Sequence, residues 1–461
     1  MNIERGVFDD LSVLDYRYWS PKLSEYLSEH AFVQYKLKVE AMLVRVLCKR
    51  GVCSADIAEE IWQACLSVTV GEVYEEEKKT KHDIRALVHC IQKRVSDVAK
   101  PFVHLTATSY DIIETANAMR YMDVVTRVLR PGLSDLMGVL ITIVEREADT
   151  LQIGRTHGQH AVPITFGFAI AQYVSRLGEL VQKLFSCTIH GKFSGAVGAY
   201  NASSLFFDDP VVFENEIVGA LGLDEPYEIA TQIAPPECLV RLLSEATMIA
   251  GVLANLADDM RQLQRTEISE VGEHFAEGQV GSSTMPQKQN PVTFENVKSM
   301  WKIVVARMQT VYMDQISEHQ RDLTGSASGR TFPEIICYVA VMVSRMTHAL
   351  KGLRVDRERM QHNFRISRNV VAGEGLQVLL SAYGCLDAHK KVQALTVEAK
   401  QKDVSIYVLA WNNGELVPYL EKFSVRQRDA LQHPEMYTGI ASQRARAVVV
   451  HWKGWFDEGG G

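Results

Sequence analysis

The sequence predicts an all-α fold built around a bundle of long helices. Three observations carry this. Apolar residues recur at helical spacing along most of the 461 residues, strand-like alternation is nearly absent, and one segment keeps a heptad seam throughout. In that segment, 239–268, the residues Leu242, Ala246, Ile249, Leu253, Leu256, Met260 and Leu263 are spaced alternately by four and three, which requires a partner helix along its length.

From the N-terminus, periodicity predicts shorter helices over 23–49, 55–66 and 83–98, and Lys100-Pro101 then marks a break. Long helical patterns follow at 111–147, 165–187, 239–268, 293–316 and 331–353. Pro131 lacks an amide proton and crowds the preceding turn, so it is expected to kink or restart the first of them. Beyond Leu353 the pattern shortens again. These changes divide the chain into an N-terminal helical domain 1–105, a central helical bundle 106–353 and a C-terminal helical domain 354–461. The length prior of two or three domains agrees.

Hydrophobic residues make up 47% and charged residues 23%, a globular composition with enough apolar side chains for a large core. The net charge of −7 argues against a nucleic-acid-binding surface for the chain as a whole, and leaves room for a local basic pocket that takes a small anion. Eight cysteines, Cys48, Cys53, Cys65, Cys90, Cys187, Cys238, Cys337 and Cys385, sit among apolar neighbours without metal-ligand spacing and read as free thiols of a reducing compartment. No signal-peptide pattern opens the chain. The longest apolar run, 335–343, is far short of the ~18 residues of a membrane helix, so a cytoplasmic protein is expected.

A bundle of this kind places polar loops at its ends, so polar clusters that interrupt the helices are candidate site pieces. The richest is GSSTMPQKQNP, 281–291. Gly281 opens backbone angles closed to other residues, Pro286 and Pro291 stop a helix, and Ser282, Ser283 and Thr284 supply hydroxyls beside Lys288 and Asn290. Such a loop suits a carboxylate and the negative charge that develops next to it, although a solvated surface loop explains it equally. In TKHDIRA, His82 and Asp83 stand at a helix start, where either His82 binds an anion or Asp83 or Thr80 simply caps the helix. HLTATSYD sets Thr108 and Ser109 at the start of a long helix, a seat for phosphate or carboxylate. GRTHGQHAVP carries His157, a candidate general acid if it is not merely structural. In QRDLTGSASGR, Arg321, Ser326 and Arg330 converge on a phosphate if the loop folds back, and are otherwise solvated surface residues. Phosphate loops of the G-x-G-x-x-G or Walker type and a hydrolase serine elbow are missing, which sets aside ATPases, dinucleotide dehydrogenases and serine hydrolases.

These clusters and their order resemble the fumarase/aspartase superfamily of homotetrameric helical lyases and, within it, the adenylosuccinate lyases of the longer bacterial type. GSSTMPQKQNP is similar to that superfamily's highly specific G-S-S-x-M-P-x-K-x-N-P signature, and the likeness runs almost end to end through LDYRYWSPKLSEYLSEHAFVQYKLKVE, TKHDIRA, TATSYD, GRTHGQHAVPITFG, GKFSGAVGAYNA, ATQIAPPE and QRDLTGS. The resemblance implies a three-domain fold whose central bundle forms the core of a tetramer with shared active sites. It implies Ser282 as general base, His157 as general acid, and Lys288 and Asn290 as holders of the succinyl carboxylates and the aci-carboxylate intermediate. His82 and Asp83 match the family's HD pair, and Glu295 stands where a glutamate orients a histidine. Thr108, Ser109, Thr156, Gln232, Ser283 and Met285 match substrate-binding positions, while Arg17, Tyr18, Arg321, Ser326 and Arg330 match the ligands of a nucleotide phosphate. His160 stands where the family usually has proline, Gln287 where it commonly has histidine, Gly325 where aspartate is usual and Tyr110 where a small or acidic residue is usual.

The implied reaction is β-elimination of fumarate from adenylosuccinate to AMP and from SAICAR to AICAR in purine biosynthesis, with no metal or cofactor. Stabilisation of the dianionic intermediate is expected from Lys288, Asn290 and helix N-termini. Two other readings compete. One is a superfamily lyase or cycloisomerase for an unphosphorylated succinyl or carboxymuconate-type substrate, against which the five phosphate-ligand positions speak. The other is a catalytically silent helical scaffold, which has no need of Ser282, His157, Lys288 and Asn290.

Overall fold

The computed structural model describes residues 14, 17–274, 284–285 and 287–460. Helices form most of it, as the periodicity predicts, and each departure has a local cause. The expected helix over 23–49 is two, α1 (Pro21–Leu27) and α2 (Glu29–Lys49). Ser28 between them is extended, and its Oγ accepts the Ala31 amide at 3.1 Å, which starts α2 afresh. Next come α3 (Ala55–Ser67), α4 (Val70–Thr80) and α5 (Asp83–Gln92). The sequence does not announce α4, because Val73 and Glu76 are its only buried residues and a Thr69–Glu72 capping box starts it. Helix α5 ends before 98; there Ser96 turns away so that its amide donates to Glu60 Oε1 at 2.5 Å.

The pattern over 111–147 is α6 (Ser109–Val124) and α7 (Arg130–Arg146), joined by a wide π turn over Val125–Leu129. In that turn the Arg130 amide donates five residues back to Val125, and this absorbs the donor that Pro131 lacks. After it comes an antiparallel hairpin, β1 (Leu151–Thr156) and β2 (Gln159–Thr165). It is the longer of two short two-stranded pairs among the described residues, so strands are few, as expected. Its polar residues hide the alternation, and its register slips between Ile153 and Arg155. The remaining main helices are α8 (Phe166–Phe185), α9 (Pro210–Ala220), α10 (Glu237–Leu263), α11 (Val292–Met313), α12 (Phe332–Lys351) and α13 (Arg357–Ser367), followed by shorter ones.

The chain divides into two compact units. The first comprises Met1–Gly132, Val181–Ala250 and Met300–Met342, and the second Leu133–Leu180, Gly251–Ser299 and Val343–Gly461. In the first, α2 is the central element and packs on α3, α6 and α9. Val39, Leu43 and Leu47 of α2 meet Ile61, Ile91, Ile112 and Phe213 in one core, and each such side chain contributes about 1.5–3 kcal/mol by leaving water. In the second unit, β1 packs on α13 through Ile153, Phe364 and Val371, and a separate core gathers Leu376, Leu380, Leu416, Leu420 and Phe423.

The α10 seam is fully buried from Leu242 to Met260 within the single chain. Its apolar face therefore serves this chain's own core. The same burial explains why α10, which is long and apolar enough to cross a membrane, reads as a core helix: 56% of its most apolar window lies inside the protein. Exposed apolar side chains lie elsewhere, at Met248, Ile303, Tyr312 and Met313.

Candidate active site

A cavity of about 380 Å³ opens in the first unit. It brings together Asp83, Arg321, Ser326 and Arg330, which lie on segments far apart in sequence, with Lys36, Tyr110 and Glu114 beside them. The loop that carries the arginines is shaped by Asp322, whose carboxylate accepts from the amides of Glu318 and Thr324 at 2.8 Å and from the Thr324 hydroxyl at 2.6 Å. The Thr324 hydroxyl, followed by these amides, holds the Asp322 carboxyl below its ordinary range. The loop thus folds back as the convergence of Arg321, Ser326 and Arg330 requires. The Arg321 guanidinium lies over the Tyr110 ring, 3.8 Å from its centroid, and donates to the Tyr110 hydroxyl, while among the described residues its buried Nε has no hydrogen-bond partner. A Cβ on Gly325 would stand 3.3–3.4 Å from the Asp314 carboxylate. An aspartate at 325 would crowd a second carboxylate against the first, which accounts for glycine at this position.

Asp83 pairs with Lys36 at 3.2 Å; burial pushes its carboxyl up, but the Lys36 ammonium and the Ile84 amide together outweigh this and its pKa lies below the usual value. The cap of α5 is supplied by His82 rather than by Thr80 or Asp83. Its Nδ1 accepts the Arg85 amide at 3.4 Å, an arrangement that leaves Nε2 as the outward donor. Arg17 and Tyr18 are not among the described residues of the cavity wall: Arg17 is exposed and Tyr18 packs on Tyr338 of α12, ring centroids 5.4 Å apart.

Thr108 and Ser109 form the start of α6, and the Thr108 amide donates to Asp111 Oδ2 at 2.8 Å. Sequence reasoning assigned nothing to Asp111 or Lys192, yet they form a fully buried ion pair at 2.5 Å. Lys192 Nζ also donates to the Gly195 carbonyl at 2.9 Å, and the Gly195 amide donates to Asp111 at 3.2 Å. This pair ties the TATSYD start of α6 to the GKFSGAVGAYNA segment. That segment in turn lies against ATQIAPPE: Gly198 has φ +76°, and a Cβ there would stand 1.9 Å from the Ala230 carbonyl oxygen, a separation only glycine permits. Gln232 follows two residues on, and Ile233 to Pro236 line the cavity.

The second unit holds the other candidates. His157 and Gly158, φ +54° and +73°, form the two-residue tip of the β1–β2 hairpin, with Thr156 paired to Gln159. Thr156 and His157 are both exposed, and among the described residues nothing hydrogen-bonds the His157 ring. The base of the hairpin is rigid. Buried Glu270 accepts from Arg155 at 2.6 and 3.1 Å, from Gln152 at 2.8 Å and from Asn363 of α13 at 2.8 Å. His160 reaches Ser367 Oγ at 2.8 Å, a contact proline would not make, and burial followed by Arg155 lowers its pKa. Glu270, Arg155 and Asn363 are supports that sequence motifs did not single out.

Ser282 and Ser283 lie outside the described residues. Met285 and Lys288 are exposed, Asn290 is half-buried, and Glu295 is exposed in the first turn of α11. Among the described residues no histidine is within hydrogen-bonding distance of Glu295. The N-terminus of α11 is already occupied, because Glu273 accepts the amides of Thr293 and Phe294 at 3.2 and 2.9 Å. It therefore has no amide to spare for a developing carboxylate, and the expected help from helix N-termini does not extend to α11.

Comparison with known proteins decides the family. A family model described as lyase matches residues 15–306, and one described as adenylosuccinate lyase C-terminal matches 317–413. An adenylosuccinate lyase of Pyrococcus abyssi is 33% identical over 95% of this chain and 96% of its own. This chain belongs to the adenylosuccinate lyase family. The family relatives from Archaeoglobus fulgidus and Methanothermobacter thermautotrophicus are each 30% identical, over 95% and 96% of the chain and 97% and 99% of their own length. Among solved structures, 3-carboxy-cis,cis-muconate lactonizing enzyme from Pseudomonas putida superposes with a TM-score of 0.84 over 96% of this chain and 99% of that one, at 24% identity. A fumarate lyase from Mesorhizobium gives 0.81 over 94% and 98%, at 22% identity. These two share the fold with the adenylosuccinate lyase family chain described here.

Proposed function

We infer that this chain catalyses β-elimination of fumarate from adenylosuccinate, giving AMP, and from SAICAR, giving AICAR. The observation that carries the nucleotide is the cavity that Arg321, Ser326 and Arg330 line together, because two guanidinium forks and a hydroxyl, with the buried Arg321 Nε unpartnered among the described residues, suit phosphate oxygens. A carbon proton next to a carboxylate is very weakly acidic, so the reaction needs a base and strong stabilisation of the anion. Ser282 takes that proton, and Lys288 and Asn290 hold the aci-carboxylate. His157 protonates the nitrogen as the carbon–nitrogen bond breaks, and its exposed place at the tip of a hairpin held at its base suits delivery of a proton to a ligand. His82, Asp83, Thr108, Ser109, Thr156, Gln232, Ser283, Met285 and Glu295 complete the site, with Arg17 and Tyr18 on the phosphate. The three-domain division at 105 and 353 and a tetramer with active sites shared between subunits belong to the same reading. Exposed apolar residues on α10 and α11 support the tetramer, and the free cysteines support a cytoplasmic enzyme.

Incubating the purified protein with adenylosuccinate, followed by ultraviolet absorbance, tests the reaction: fumarate and AMP are expected, and no release sinks the reading. Mixing folded Ser282→Ala and His157→Ala proteins tests the shared sites, because hybrid tetramers regain activity only if the two residues act from different chains.

A further inference from the structure

Glu114 lies one turn beyond Tyr110 on α6 and lines the same cavity as Arg321 and Arg330. The cation that bears most strongly on it is Arg321. That guanidinium is engaged elsewhere, stacked on the Tyr110 ring and donating to its hydroxyl. Among the described residues Glu114 has neither a hydrogen bond nor an ion pair. Glu114 is half-buried in the cavity wall, and a carboxylate there that no described residue pairs with is available to donors on a ligand. The ligand must also carry an anion for Arg321, Ser326 and Arg330. Sugar phosphates combine the two, since vicinal hydroxyls donate in pairs to one carboxylate, as in the acidic residue that reads a ribose in dinucleotide folds.

We propose that Glu114 is a substrate-binding residue that accepts hydrogen bonds from the ribose hydroxyls of the nucleotide, with Tyr110 as the positioning residue that turns Arg321 away from Glu114 and toward the phosphate. This rests on the nucleotide reading above and extends it to residues the family motifs leave unassigned. In the chain as it stands, Tyr110 thereby has a function where a small residue is usual.

Calorimetric titration of the full-length protein with AMP and with 2′,3′-dideoxy-AMP tests it, using wild type, Glu114→Gln and Glu114→Ala. Wild type is expected to prefer AMP by about tenfold, Glu114→Ala to show a ratio within about twofold of unity, and Glu114→Gln to fall between because its amide oxygen still accepts. Dideoxy-AMP affinity should stay within about threefold across all three, since it lacks the hydroxyls in question. An unchanged ratio in both variants overturns the inference, as does an equal loss for both ligands, which a merely structural residue would give. Turnover of adenylosuccinate by the wild-type preparation keeps these failures separate from failure of the lyase reading.

Discussion

The cavity of the first unit and the hairpin tip of the second handle polar side chains in opposite ways. The cavity gathers acids and bases behind a wall, where Asp83 is paired, Arg321 is stacked and Glu114 is left open. The hairpin instead buries its ionic support at the base, around Glu270, and holds His157 out at a bare tip. On the function proposed above, one region recognises and the other delivers. A group that binds an anion gains from a lowered dielectric and fixed donors, whereas a proton donor that serves a ligand outside its own fold gains from reach and a stiff base.

His157→Gln should lower kcat about 10²–10⁴-fold, the range for loss of a general acid, and leave AMP affinity within about threefold. Fumarate release and calorimetry check the two halves; an equal loss of AMP binding would mean that the tip recognises as well as delivers. Arg155→Ala comes next. It removes one partner of buried Glu270, so thermal unfolding should show a loss of about 3 kcal/mol, again with AMP affinity preserved. Glu114 in the cavity gives a smaller change. Burial pushes Glu114 up to about 7, against the lowering by Arg321 and Lys192. Its folded pKa lies above the unfolded value of 4.5, so the ligand-free protein loses stability as pH rises through that window and carries the full penalty above it. Glu114→Gln removes the penalty. It should therefore stabilise by on the order of 2 kcal/mol at pH 8 and by almost nothing at pH 4, as read by melting curves at both values.

The parts of this molecule that were legible in the sequence are those with local signatures. The α10 seam is periodic, and its residues from Leu242 to Met260 are indeed buried. The clusters around His82, Thr108 and Arg321 interrupt helices and do mark helix starts and a folded loop. What stayed hidden depends on distant pairings. Lys192 meets Asp111 across 81 residues and Arg155 meets Glu270 across 115, and no spacing rule links such positions. Helix α4 and the hairpin were missed for a different reason: their charged and polar residues mask the apolar period that would betray them. The π turn at Val125–Leu129 shows a third case, in which Pro131 signals a disturbance without saying whether the helix breaks or widens.

The left-handed backbone at His157 bears on how this position drifts over generations. An imidazole at φ +54° sits where glycine or asparagine would be more comfortable by roughly 1 kcal/mol. In a lineage that had kept only the helical framework, small gains in stability would steadily replace it. If His157 is the proton donor proposed above, that backbone cost is what the role exacts, and a chain that no longer needed the proton would gain by glycine or asparagine there.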